Sequence, residues 1–131
     1  MRIIPTSMHG ILDYIVGLLL IITPWLFGFN LGGSETWVTV VAGVVLLLQT
    51  LLTDFEPGLV KLIPMRIHLT MDFILGLILA GSPWLFNFDE VVWAPHVIIG
   101  LFAIAASLTT RTVPDYMTRR FHAHEHHINR T

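Results

Sequence analysis

Apolar residues run along the chain in four long stretches, roughly 8–29, 35–53, 66–87 and 91–110, divided by short polar breaks. A helix needs about 20 apolar residues to cross the hydrocarbon core of a bilayer. Each stretch meets that length, so the pattern predicts four membrane-spanning helices. The break after the first is Leu31-Gly32-Gly33-Ser34, and the one after the third is shorter still, around Asn87-Phe88-Asp89. Connections this tight make each successive pair an antiparallel hairpin.

The polar positions inside the stretches repeat. Residues 8–29 (MHGILDYIVGLLLIITPWLFGF) align without a gap on residues 67–88 (IHLTMDFILGLILAGSPWLFNF). His9 meets His68, Asp13 meets Asp72, Gly17 meets Gly76, and Pro24-Trp25-Leu26-Phe27 meets Pro83-Trp84-Leu85-Phe86. Past the loops the register shifts slightly, and Gly43 meets Gly100, Thr50 meets Ser107 and Pro57 meets Pro114. Chance apolar similarity would not keep His, Asp, Gly and Pro together. The reading is a duplicated helix–loop–helix unit. Its hairpins cover 1–60 and 61–112, followed by a polar tail, 113–131. The fold class is all-α: an integral membrane four-helix bundle of two tandem hairpins. Each hairpin crosses an even number of times, so the copies are related by a pseudo-two-fold axis along the membrane normal. The inverted, in-plane relation of many transporters is thereby excluded.

The repeated segment resembles the SPW-repeat family of small multi-pass membrane proteins. Ser82-Pro83-Trp84 carries the family's tripeptide in full, and the first copy reads Thr23-Pro24-Trp25, which keeps the hydroxyl. The resemblance extends to about residue 112. It implies a multi-pass membrane protein and supplies no catalytic residues.

Composition agrees with the lipid setting. The 131 residues are 54% apolar and 12% charged, against roughly a quarter charged in an average soluble domain. With a net charge of −2 there is no electrostatic case for nucleic acid, and with no cysteine there is neither a disulfide nor a thiolate metal site. The first thirty residues are not expected to be a signal peptide. The apolar run is too long, contains Asp13 and lacks a small-residue cleavage site.

Charge also sets a direction. Arg2, Lys61, Arg66, Arg111, Arg119, Arg120 and Arg130 all lie at the N-terminus, in the central loop or in the tail. The outer loops hold Glu35, Asp89 and Glu90 instead. The positive-inside rule then places both termini in the cytoplasm, with the chain integral to the cell membrane. Trp25, Trp37, Trp84 and Trp93, with Phe27, Phe29, Phe86 and Phe88, fall at the opposite end and read as an aromatic interface belt. Pro24 and Pro83 are expected to kink or end their helices, with Thr23 or Ser82 capping a new short turn.

Candidate chemistry is confined to a few positions. His9 and Asp13, like His68 and Asp72, are four apart and share a helix face, which continues through Gly17 or Gly76. Gly43 and Gly100 lie on matching stripes of the second and fourth helices. Small residues on such faces let helices approach closely, so these four glycines are the expected packing contacts. Asp13 lies about 8 Å along the helix from residue 8, near the cytoplasmic boundary, where Arg2 and Arg66 could reach the pairs. The pairs read first as structural pins between repeats. Three functional readings stay open: a metal site with N and O ligands, haem b held by His9 and His68, or a proton or ion relay. The sequence requires no cofactor. In the tail, His122, His124, Glu125, His126 and His127 form a metal-capable cluster on a segment that, if helical, is amphipathic and basic. Nothing resembles a nucleophile triad, a phosphate loop or a dinucleotide fingerprint, so no enzymatic activity is indicated. The expected partners are lipid and either further copies of the chain or a larger membrane complex, in which it would act as a structural or accessory component.

Overall fold

The computed structural model describes residues 1–128, the side chains of His126 and His127 excepted. The predicted tail ligands His126 and His127 therefore lie outside the described side chains. Among the described residues the fold is all-α, with five helices and no strand: α1 Thr6–Leu26, α2 Ser34–Leu51, α3 Met65–Leu85, α4 Ala94–Thr109 and α5 Asp115–Ile128. The first three of these are long and apolar enough to cross a membrane. The fourth is apolar but only 16 residues long, about 24 Å at 1.5 Å per residue. It begins later than the apolar pattern because Pro95 sits in its first turn, where a proline is preorganised for helix and its missing N–H costs nothing.

The helices pack in two pairs, α1 along α2 and α3 along α4. Backbones meet where glycine removes the side chain. A methyl built on Gly43 would stand 2.6 Å from the Gly17 carbonyl oxygen, and one on Gly100 would stand 2.7 Å from that of Gly76. The buried apolar centre is Leu20, Ala42, Leu46 and Leu79. Outward faces are also apolar, with Ile11, Ile15, Leu18 and Ile22 exposed on α1 and Ile98, Leu101 and Leu108 on α4.

The proline motifs act differently from the sequence expectation. Helices α1 and α3 run through Pro24 and Pro83 and end two residues later. No new turn is capped. The Thr23 hydroxyl donates back to the Leu19 carbonyl and the Ser82 hydroxyl to that of Leu79. Pro83 has no N–H for Leu79, four residues before it, so Ser82 supplies the missing donor at 2.7 Å. The stop comes next. Phe29 N–H donates to the Pro24 carbonyl and Phe88 N–H to that of Pro83, both at 2.8 Å. Gly28 (φ 72°) and Asn87 (φ 56°) provide the left-handed residue that this closure requires. The closure also turns Phe29 and Phe88 inward, where both are buried. They therefore do not join the predicted aromatic belt. The four tryptophans, Phe27 and Phe86 remain exposed.

At the opposite end the chain closes on itself. Ile4 pairs with Thr110 and Ile63 with Thr53 in isolated backbone bridges. The start of α1 is thus tied to the end of α4, and the start of α3 to the end of α2. Helix α5 docks there through its first turn: Tyr116 Oη donates to Asp54 at 2.6 Å and Tyr116 N–H to Glu56 at 3.0 Å. The Asp54 carboxylate holds the Tyr116 phenol above its ordinary pKa. Beyond that turn Phe121, His122 and His124 are exposed.

The glycine contacts predict a contrast. Gly43→Leu should destabilise the protein by about 1–3 kcal/mol through overpacking. Gly81→Ala meets open space and should leave stability unchanged or raise it by about 0.5–1 kcal/mol. Thermal unfolding in detergent checks both, and equal losses would contradict the packing described.

Candidate functional site: a buried histidine–aspartate quartet

The repeated His-x3-Asp segments occupy the first two turns of α1 and α3, each started by a preceding proline, Pro5 or Pro64. That placement brings the two segments together. His9, Asp13, His68 and Asp72 are all buried, and their ligand-capable atoms lie within 4.8 Å of one another. Among the described residues no other group of three or more His, Asp and Glu gathers this closely.

The shortest contacts cross between helices. His9 Nε2 lies 2.8 Å from Asp72 Oδ2, and His68 Nε2 lies 2.8 Å from Asp13 Oδ2. The contacts within each helix are longer, 3.2 Å for His9–Asp13 and 3.1 Å for His68–Asp72. Nitrogen and oxygen therefore alternate around a closed ring. The imidazoles stand nearly perpendicular, with centroids 5.5 Å apart, and Phe55 covers the His68 ring.

Threonines hold the other side of each imidazole. His9 Nδ1 lies 2.7 Å from Thr110 Oγ1, and His68 Nδ1 lies 2.8 Å from Thr53 Oγ1. Each hydroxyl also donates to a helix carbonyl four residues back, Ala106 O for Thr110 and Gln49 O for Thr53. A hydroxyl has one proton to give. With that proton committed, each threonine oxygen accepts Nδ1–H, and each Nε2 is aimed at the carboxylates. These are the same threonines that form the backbone bridges to Ile4 and Ile63.

Two further groups reach the carboxylates. Gln49 donates from Nε2 to Asp72 Oδ1, and Thr50 Oγ1 lies 3.4 Å from Asp13 Oδ2. The buried Gln49 Oε1 has no hydrogen-bond partner among the described residues. A cavity of about 20 Å³ adjoins His9, Asp13 and Asp72, enough for about one water.

Other predicted residues fall elsewhere. Arg2 does not reach the pairs; its guanidinium donates to the Ser107 and Thr110 carbonyls at the end of α4. Arg66 lies on the surface, where it lines an open cavity with Arg2. His96 is buried at the far end between Phe29 and Phe88 and donates from Nε2 to the Glu35 carbonyl at 3.0 Å. Haem does not fit the quartet. Axial histidines approach from opposite faces of a porphyrin, whereas both Nε2 atoms here converge on the same carboxylate oxygens with no room between. Sequence reasoning missed Gln49, Thr53 and Thr110. The signal for the threonines was present, because Thr53 and Thr110 match in the register that relates Thr50 to Ser107.

Replacing Thr53 or Thr110 by valine keeps the shape and strands a buried imidazole N–H. Each substitution should cost about 1–3 kcal/mol, and by similar amounts because the two bonds match. Chemical unfolding in detergent measures this, and a neutral result for both would mean the threonines do not hold the rings.

No curated protein and no solved structure matches the chain. The SPW repeat domain model matches residues 7–110. That span contains both His-x3-Asp segments, both proline motifs, helices α2 to α4 and all of α1 but its first residue. The chain therefore belongs to the SPW repeat domain family, and its apolar helices fit a membrane protein.

Proposed function

We propose that the chain is a four-helix integral membrane protein acting as a structural or accessory component, through helix packing with copies of itself or within a larger membrane complex. The observation that carries this is the distribution of polarity. His9, Asp13, His68 and Asp72 turn inward and partner one another, while Ile, Leu and Val make up most of the exposed side chains of α1 to α4. In lipid, polar groups must be satisfied internally, and apolar faces need no cover. The fourth helix completes its crossing with the apolar Val91, Val92 and Trp93 before it.

The remaining architecture follows from this reading. Two tandem hairpins, 1–60 and 61–112, are copies of one unit about an axis along the membrane normal. The matched contacts of His9 with Thr110 and His68 with Thr53 support it. The basic residues put the quartet end and both termini in the cytoplasm. The exposed tryptophans at the other end anchor the outer interface, and α5 lies on the inner leaflet through its basic, amphipathic face. The quartet joins one hairpin to the other.

Two measurements test this. In mild detergent the protein should run as an assembly, or bring a membrane partner with it, in native mass spectrometry; a lone monomer with no partner overturns the packing role. The pinning role has its own signature. Asp72→Leu alone leaves two imidazoles facing one carboxylate and should cost about 3–5 kcal/mol. Replacing all four residues with Leu or Met should recover most of that loss while membrane insertion is kept. Greater damage from the fourfold variant than from the single one would show that the quartet is more than a pin.

A further inference from the structure

We infer that His9, Asp13, His68 and Asp72 form a site for one divalent transition-metal cation of the zinc type, held by two imidazole Nε2 atoms and two carboxylate oxygens. The case begins with spacing. A tetrahedral zinc ion with bonds of about 2.0–2.2 Å holds its ligand atoms about 3.3–3.6 Å apart. The four nitrogen–oxygen separations around the ring are 2.8, 3.2, 2.8 and 3.1 Å. The closest ligands need spread by about 0.5–0.8 Å, and the 20 Å³ cavity beside them gives room for it.

Orientation is the second part. A metal-bound imidazole needs its other nitrogen held by an outer partner, which fixes the tautomer and aims the lone pair. Thr53 and Thr110 do this for both rings, from hydroxyls already anchored on helix carbonyls. Asp72 is steadied in turn by Gln49. Charge is the third part, since two carboxylates and one divalent cation make a neutral centre suited to an apolar interior. The donor set selects the metal class. Two imidazoles with two carboxylates suit zinc and its neighbours, whereas calcium and magnesium demand six or more oxygens. Beside Asp72, Gln49 Oε1 is a buried acceptor without a partner among the described residues.

The inference is separate from the packing role, because a pin needs no metal. The tail histidines are a competing source of binding, so the experiment uses the full chain with His122, His124, His126 and His127 changed to Asn. After chelation in mild detergent, the protein is titrated with Zn²⁺ alone and with Co²⁺ alone. One metal per chain is expected, with the intense visible absorption of tetrahedral Co²⁺. Thr53→Val and Thr110→Val, which keep every ligand, should weaken binding about 10–100-fold, and Asp72→Asn should abolish the tetrahedral spectrum. Absence of stoichiometric metal from the tail-substituted chain overturns the site, as does an octahedral Co²⁺ spectrum or binding unchanged by the threonine variants. These readings stand even where Asp72→Asn does not fold.

Discussion

Ionisable side chains deep in an apolar protein must satisfy one another, and the rest of this structure is arranged around that demand. His9, Asp13, His68 and Asp72 meet it as a closed ring in which nitrogen and oxygen alternate. Neither helix can meet it alone. The i,i+4 contacts within α1 and α3 are the longer ones, and the shorter bonds run across. Each histidine therefore depends on the other helix, and the two helix pairs cannot separate without stranding buried polar groups. Leaving one such partner behind is far more costly than exchanging the whole set for apolar residues.

The ring is also tied to the backbone. Thr53 and Thr110 each do three things from one residue: they hold an imidazole, donate to the preceding helical turn and carry a backbone bridge, Thr53 to the segment before α3 and Thr110 to the segment before α1. A shift in either bridge moves a ring nitrogen. At the other end of the helices the backbone closes differently, through the left-handed residues Gly28 and Asn87, which bury Phe29 and Phe88 against His96. One end is fastened by polar bonds and the other by aromatic packing, with glycine contacts between them.

Much of this was legible in the residues because local geometry dictates it. A spacing of four places His9 over Asp13, and glycine on a stripe marks where backbones approach. Gly17 does meet Gly43, and Gly76 meets Gly100. What could not be read was which helix satisfies which group. The spacing allows each aspartate its own histidine or a neighbouring helix, and the shorter bond goes to the other helix, a contact spanning dozens of residues. Gln49 was overlooked because a lone amide in an apolar run has no periodic signal. Phe29 and Phe88 were misplaced because one left-handed residue reverses the side they face, and Gly28 alone does not reveal it. The masking of Leu79 by Ser82 shows the same limit: the serine before the proline suggested a cap, and the structure uses it to repair the bond that proline removes.

The positions where the two aligned sequence segments differ are as informative as those where they agree. Gln49 stands where the matching position holds Ala106, and His96 stands where it holds Thr39. Asp72 therefore has an amide donor, whereas the Thr50 hydroxyl, 3.4 Å from Asp13, gives its proton to the Leu46 carbonyl at 2.7 Å. Two glutamines at the equivalent positions would crowd both carboxylates; the small Ala106 instead leaves the cavity that adjoins His9, Asp13 and Asp72. The ring takes one histidine and one aspartate from each helix but is unevenly supported, so its two carboxylates are not interchangeable. Asp72, buried more deeply and bonded to Gln49, is the more firmly held of the two.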